Sequence, residues 1–396
     1  MSLDFQSIRQ QVMLLGENAL EQAGELQNKR EQALEILVEN AQNLSDLRQK
    51  VEMVVRSYDP SLRCALPVAE PLTLASPLPN LPEVATLIAA DGSQITPDRH
   101  AEVNFALINT GAIQMKFGSA DPPETSISSE LLYDEQLYSA AGTLTEAQVA
   151  LLRDIKEREI LVKLAKTAAP PVVTFTDGPM ELWGAKSGES AVRADFQERL
   201  KQYLEVLNQL YDLNVITAGY IDKPAANLVV RTLEVSMVPD AKLSEIADSH
   251  PLWGVTDIAL YRQILQAGER SPIFAMQSQM LKSYRGALRL HFFYLNVGQT
   301  GRPYLVRVEI PAWVAENEDY IHALHAILID QCRLMGGRPY PYLLHRAHET
   351  AVVRLEEKTQ VTQMITQELR QRGLNVGEIS SKQYAKQVPG RTRFSL

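Results

Sequence analysis

Cysteine is nearly absent: Cys64 and Cys332 are the only two in 396 residues, and they stand far apart in the chain. A disulfide framework and a cysteine-built zinc site are therefore both excluded as readings. Long apolar runs are missing too. No stretch approaches the ~18 residues a membrane span needs, and the opening MSLDFQSIRQQ has no charged stretch followed by an apolar one, so a cytoplasmic protein without a membrane role is expected. Positive charge is also short, with 39 Lys and Arg against 48 Asp and Glu and a net charge of −9. That rules out a wholly basic nucleic-acid coat and leaves room only for a local positive groove. What is present is an ordinary globular composition, 45% hydrophobic and 22% charged, able to bury a large core in one big domain with an appendage or in two domains.

The chain is organised around Val84 to Ser93, VATLIAADGS, an apolar run read as a buried strand that stops at Asp91, where the backbone turns. A second stretch repeats the design, from Pro170 through Val172-Val173-Thr174-Phe175-Thr176 to Asp177-Gly178-Pro179. Two neighbouring strands ending in carboxylates would set like charges side by side, which need a proton or a divalent cation to coexist. Asp-Gly is equally an ordinary turn dipeptide, since Asp bonds its own backbone and Gly supplies positive φ. The sequence leaves turn and ligand about level.

From Phe5 to Val55 the chain is rich in Glu, Gln, Leu and Ala without Pro, which predicts helix, broken near Asn43-Leu44-Ser45 with Ser45 as N-cap. Six prolines between Tyr58 and Pro82 predict an extended connector. AEVNFALINTGAIQMKFG predicts one or two strands turning near Asn109 to Gly111, and Ala120 to Gly142 reads as a long surface loop. Thr145 to Gln148 forms a capping box opening a helix to about Thr167. At 100° per residue Glu159 falls on its apolar seam between Leu152 and Ile155, while Glu157 points away, so Glu159 is the candidate acid.

Helices are predicted over Ala194 to Leu213, Ala225 to Val235 and Tyr320 to Leu334, with a strand at Val215 to Ile221 and a hairpin from Ala287 to Ile310. Asp257 is read as the cap of the following helix. Pro341 opens a last helix carrying His345 and His348 on one face, whereas His322 and His325 read as structural or surface residues. From Ile379 to the end, Lys382, Lys386, Arg391 and Arg393 stand without an acid and could lie on phosphates.

DGS at Asp91 to Ser93, the Glu159 helix, TDGP at Thr176 to Pro179, FFYLN at Phe292, RVEIPAWV at Arg307 and YPYLLHRAHETAV at Tyr340 come in an order and spacing that resembles the NurA nuclease family, from about Val84 to Val352. The resemblance implies a ribonuclease H-like α/β core, a mixed sheet flanked by helices, with an N-terminal helical arm. It implies a manganese-dependent DNA nuclease with single-strand endonuclease and 5′-to-3′ exonuclease activity, a homodimer that works with a hexameric HerA-type ATPase in resecting broken DNA ends. Carried over by position, Asp91, Asp177 and Glu159 match the acids, and Tyr340 and His348 the C-terminal pair. The expected division is a helical arm over 1–58, a Pro-rich connector over 59–83, the nuclease domain over 84–375 and a basic tail over 376–396.

The chemistry of the residues agrees with that resemblance. Phosphodiester hydrolysis needs an activated water and charge dispersal on the leaving oxygen, which two divalent ions ~4 Å apart supply. Hard oxygen donors suit Mg²⁺ or Mn²⁺, and an added imidazole favours Mn²⁺. On this reading Asp91, Glu159 and Asp177 are metal ligands, His348 is either a further ligand or the group that orients water, and Tyr340 is placed to contact the scissile phosphate. Two rivals are weighed. An aspartyl phosphatase is disfavoured because Ala89 and Phe175 stand where its partner Asp would be. A catalytically silent DNA-binding or ATPase-adaptor module on the same fold is the other. Asp222, Asp257 and Glu309 remain unplaced acids.

Overall fold

A computed structural model describes residues 3–98, 103–139, 142–184 and 190–374. In chain order the elements begin with α1 (Phe5–Glu39), α2 (Leu44–Ser57), β1 (Cys64–Pro67), β2 (Ala85–Ile95), β3 (Ala106–Phe117), β4 (Glu124–Leu132) and the short pair β5 (Tyr138–Ser139) and β6 (Gly142–Thr143). They continue with α3 (Glu146–Ala165), β7 (Val172–Asp177), α4 (Ser190–Asp212), β8 (Ile216–Ile221), α5 (Leu228–Met237), α6 (Asp257–Tyr261) and β9 (Phe274–Gln277). The rest are β10 (Leu290–Asn296), β11 (Leu305–Pro311), α7 (Ala312–Ala315), α8 (Glu318–Leu334), α9 (Tyr342–Ala351) and α10 (Leu355–Gln371). The expected elements recur closely. The N-cap before α2 is Asn43 rather than Ser45, and Thr145 and Gln148 close their capping box at the start of α3.

The chain forms two compact units, one of Met1–Leu81 with Gly219–Tyr340, the other of Pro82–Ala218 with Pro341–Leu396. In the first, β1, β9, β10, β11 and the end of β8 are neighbours in that order, and their pairings are antiparallel. Its core is aromatic: the Tyr261 and Tyr294 rings stack at 5.5 Å, as do Phe274 and Phe292. Asp257 does not cap its own helix by side chain. Its buried carboxylate accepts from Val229 N and Val230 N, the N-terminus of α5, and from the Tyr294 hydroxyl at 2.6 Å.

The second unit orders its strands β8, β7, β2, β3, β4, with β2 parallel to β7 and antiparallel to β3, which is antiparallel to β4. A three-stranded meander whose first strand then meets a parallel strand is the ribonuclease H-like, mixed α/β arrangement the sequence resemblance implied. Helices α3 and α9 both pack on β2 and β3.

Three sequence expectations change here. β2 does not end at Asp91 but runs on to Ile95, because β3 pairs with it along its whole length; what stops after Ala90 is the ladder to β7. The strand does not turn at Asn109 to Gly111 either, since those residues are paired on both sides, by β2 and by β4. And the stretch from Ala120 to Gly142 holds β4, whose Ser- and Glu-rich, mostly exposed residues are those of an edge strand rather than a loop.

Candidate active site

Asp91 owes its place to three neighbours on one face of the second unit's sheet. In register with it is Gly111, and a β-carbon there would lie 2.7 Å from the Ala351 amide nitrogen, so only glycine lets α9 come down onto the sheet. Ser93 Oγ and Asn109 Nδ2 both donate to the Ala351 carbonyl and fix the end of that helix. One turn earlier, His348 Nδ1 reaches Asp91 Oδ2 at 2.7 Å, while Asp91 Oδ1 accepts from the Gly92 amide at 2.8 Å. The Asp91 side chain is 17% exposed and the imidazole 62%, so the ring is open to solvent and the carboxylate is largely but not fully covered.

Asp177 ends β7. The last paired residues of the parallel ladder are Ala90 and Thr176, so Asp91 and Asp177 follow at matching positions on strands about 5 Å apart. Asp177 is exposed, and Gly178 takes φ +89, a true turn, unlike Gly92. Thr176 Oγ1 is buried without a hydrogen-bond partner.

On the sheet's other face α3 buries an acid, and it is Glu157 rather than Glu159. Glu159 is exposed and pairs with Lys156 at 3.0 Å; Glu157 is the buried residue, 4% exposed. The predicted facing is thus reversed. The reason is that α3 packs on both the sheet and α4, so Gln148, Val149, Leu151, Ile155, Glu157, Arg158 and Leu161 are buried over a band much wider than one seam. Gly92 again makes room: a β-carbon on it would lie 2.8 Å from Glu157 Oε1 and 2.5 Å from Arg153 Cγ. Glu157 receives Arg158 Nη1 at 3.1 Å and Arg153 Nε at 3.3 Å. Arg158 also reaches the Pro179 carbonyl and lies over the Tyr203 ring, whose hydroxyl donates to Met180 O, so α3 and α4 together hold the loop after Asp177. Burial pushes the Glu157 carboxyl up to about 8, with Asp154 and Asp91 adding to the rise and the two arginines opposing it.

The remaining candidates fall elsewhere. Tyr340 closes the first unit, with its ring edge-on to Tyr220 at 5.6 Å. Asp222 accepts from the Tyr304 hydroxyl, and Glu309 pairs with Arg307. His325 is buried against the Gly268 carbonyl and burial lowers it to about 4, in keeping with a structural role, while His322 is exposed near Glu318. The basic tail lies outside the described residues. Sequence reading weighed Glu157 and set it aside for Glu159, and it did not single out Arg153, Arg158 or Glu181, the last buried four residues beyond Asp177. Only the adjacent Glu-Arg-Glu at 157–159 hinted at the alternative.

Among the described residues no three of His, Cys, Asp and Glu come together closely enough to hold an ion. The donor chemistry nonetheless fits a hard divalent cation. Two aspartates share a register at the end of a parallel ladder, a buried glutamate tends to neutrality beside further acids, and a buried threonine hydroxyl is unsatisfied.

A family model described as the NurA domain matches residues 85–353. Among solved structures, the NurA nuclease from Sulfolobus solfataricus is 11% identical with a TM-score of 0.48, covering 92% of this chain and 98% of that one. A crystal structure of NurA with manganese is also 11% identical, with a TM-score of 0.37, covering 90% and 97%. Endonuclease V from Ciona intestinalis, solved with a DNA 24mer, is 11% identical with a TM-score of 0.31 over 71% and 87%. No curated protein matches the chain.

Proposed function

The chain belongs to the NurA family, and on that footing we propose that it is a metal-dependent nuclease hydrolysing DNA phosphodiester bonds, with Asp91, Asp177 and Glu157 as the acids that hold the metal. Glu157 takes the place given to Glu159 by the sequence. The observation that carries the reading is the placement of Asp91: in register with Asp177's position, behind Gly92 from Glu157, and bonded to His348. Mn²⁺ or Mg²⁺ at these oxygens would lower the pKa of a bound water and offset charge on the leaving oxygen.

The chain's own groups do the rest. With Asp91 accepting from His348 Nδ1–H, the exposed Nε2 is the basic nitrogen, able to take a proton from an attacking water or, once charged, return one to the leaving oxygen. Asp91 thereby fixes the tautomer and orients the ring. Arg158, buried between Glu157 and the Pro179 carbonyl, holds the loop that follows Asp177. Tyr340 is assigned, from its place in the family motif, to the scissile phosphate. We also assign the finer family properties: single-strand endonuclease and 5′-to-3′ exonuclease action, a homodimer, and work with a HerA-type ATPase in DNA end resection.

The test is cleavage of end-labelled single strands with Mn²⁺ by the parent and by Asp91→Asn, Asp177→Asn and Glu157→Gln. Loss in all three with retained melting temperature supports the assignment. Parent-like cleavage by Asp91→Asn and Asp177→Asn would refute it.

A further inference from the structure

A large cleft has none of the candidate acids in its lining. It measures about 790 Å³ and lies in the first unit, between the hairpin loop joining β10 to β11 and the end of α8. Three arginines line it, Arg262, Arg302 and Arg333, and no lining residue is acidic. All three are exposed, and Arg333 has an acid acting on it, Asp330 one turn back on α8. In a chain of net charge −9, three arginines on one cleft with no acid in its lining make it a locally positive place that suits an anion.

The walls are built rather than loose. Buried Asn296 accepts from both Gly298 N and Tyr304 N through Oδ1, each at 3.1 Å, and the backbones of Gln299 and Arg302 exchange two hydrogen bonds. Gly301 at φ +78 makes the turn between them. Opposite, α8 stops at Gly336 with φ +65, and Gly337 has open space where a side chain would be. Bland roles account for part of the set: Arg262 donates to the Pro303 carbonyl at 3.3 Å, and Arg333 suits the negative end of α8. Neither role explains Arg302, on the hairpin tip and aimed into the same cleft, or the exclusion of acids.

We infer that this cleft is a phosphate-binding site that takes phosphodiester groups of a nucleic-acid strand or the phosphate of a free nucleotide. Guanidinium forks match phosphate oxygens two at a time, which is the reason for arginine rather than lysine at all three positions. The inference rests on the reading of the protein as one that handles nucleic acid, but it concerns binding in the first unit and needs neither metal nor turnover.

The experiment uses the full chain in EDTA, with the parent compared to Arg302→Ala, Arg333→Ala and the double variant. Arg262 is left intact because it braces the loop. Binding of a labelled 20-nucleotide single strand is measured at several salt concentrations, and binding of a nucleoside monophosphate by calorimetry. The expected result is a roughly tenfold weaker strand affinity in the double variant, with a salt slope flatter by about 1.4, since each single-strand phosphate contact contributes about 0.7. Loss of the monophosphate alone, with strand binding intact, would assign the cleft to a free nucleotide. Unchanged binding of both, with melting temperatures matching the parent, would overturn the inference. Cleavage with Mn²⁺, run alongside, separates the two claims. A parent that cleaves nothing while the double variant loses the strand sinks the nuclease reading and leaves the cleft standing, and active cleavage with unchanged binding does the reverse.

Discussion

Replacing Gly111 by alanine tests how closely the contact between His348 and Asp91 depends on one missing methyl group. The added β-carbon would sit 2.7 Å from Ala351 N and 2.9 Å from both Thr350 C and Thr350 Cβ. Non-bonded heavy atoms prefer roughly 3.5–4.0 Å, so the last turn of α9 must retreat by about 1 Å, and because the obstruction is backbone no rotamer change relieves it. Overpacking of this kind costs about 1–3 kcal/mol. For a unit of this size that is roughly 2–10 °C of melting temperature. The same retreat pulls on the Ala351 carbonyl, held by Ser93 and Asn109, and lengthens the 2.7 Å contact between His348 and Asp91 one turn away. A misplacement of ~1 Å at a catalytic group can lower the rate about 100-fold. Thermal unfolding and Mn²⁺-dependent cleavage, measured beside Gly24→Ala, check both halves; no atom lies within 4 Å of a β-carbon at Gly24, so that control should lose neither stability nor cleavage. A Gly111→Ala protein that melts within a degree of the parent and cleaves at its rate would refute the packing argument.

Three further outcomes are expected. Gly92→Ala meets side chains, Arg153 and Glu157, rather than backbone, so its melting temperature should fall less than that of Gly111→Ala while cleavage falls as far; equal stability losses would contradict this. Glu157→Gln should lower metal affinity and cleavage at least tenfold, whereas Glu159→Gln, which disturbs only an exposed pair with Lys156, should behave as the parent; calorimetric titration with Mn²⁺ reads it directly, and the reverse pattern would return the ligand to Glu159. Asp257 is raised from 3.8 to about 6, chiefly by burial, so the folded state binds more protons between those pH values and stability falls as pH rises through that window. The contribution is fully present below about pH 4 and lost above about pH 6, amounting to about 3 kcal/mol. Unfolding midpoints of parent and Asp257→Asn from pH 4 to 7 should show a shallower decline in the variant, and parallel curves would exclude Asp257 as the cause.

What the sequence by itself determined were the features written in local pattern. Apolar runs before Asp91 and Asp177, the capping box at Thr145, the proline before α9 and the glycine after α8 each act through the backbone of their own segment, so strands, helices and the two aspartates after the apolar runs could be located before any contact was known, though not that β2 continues past Asp91. The order and spacing of the motifs carried the family as well. Tertiary structure decided whatever depends on a second surface. β3 and β4 pair along chains whose Gly, Asn and Ser mimic turns and loops, because ladder hydrogen bonds are made with residues remote in sequence. α3 is covered by the sheet and by α4 together, so a single apolar seam could not say which of Glu157 and Glu159 turns inward. And Gly92 and Gly111, which read as turn residues, sit in paired strands as the two points where helices approach the sheet closely enough to bring Glu157 and His348 to Asp91.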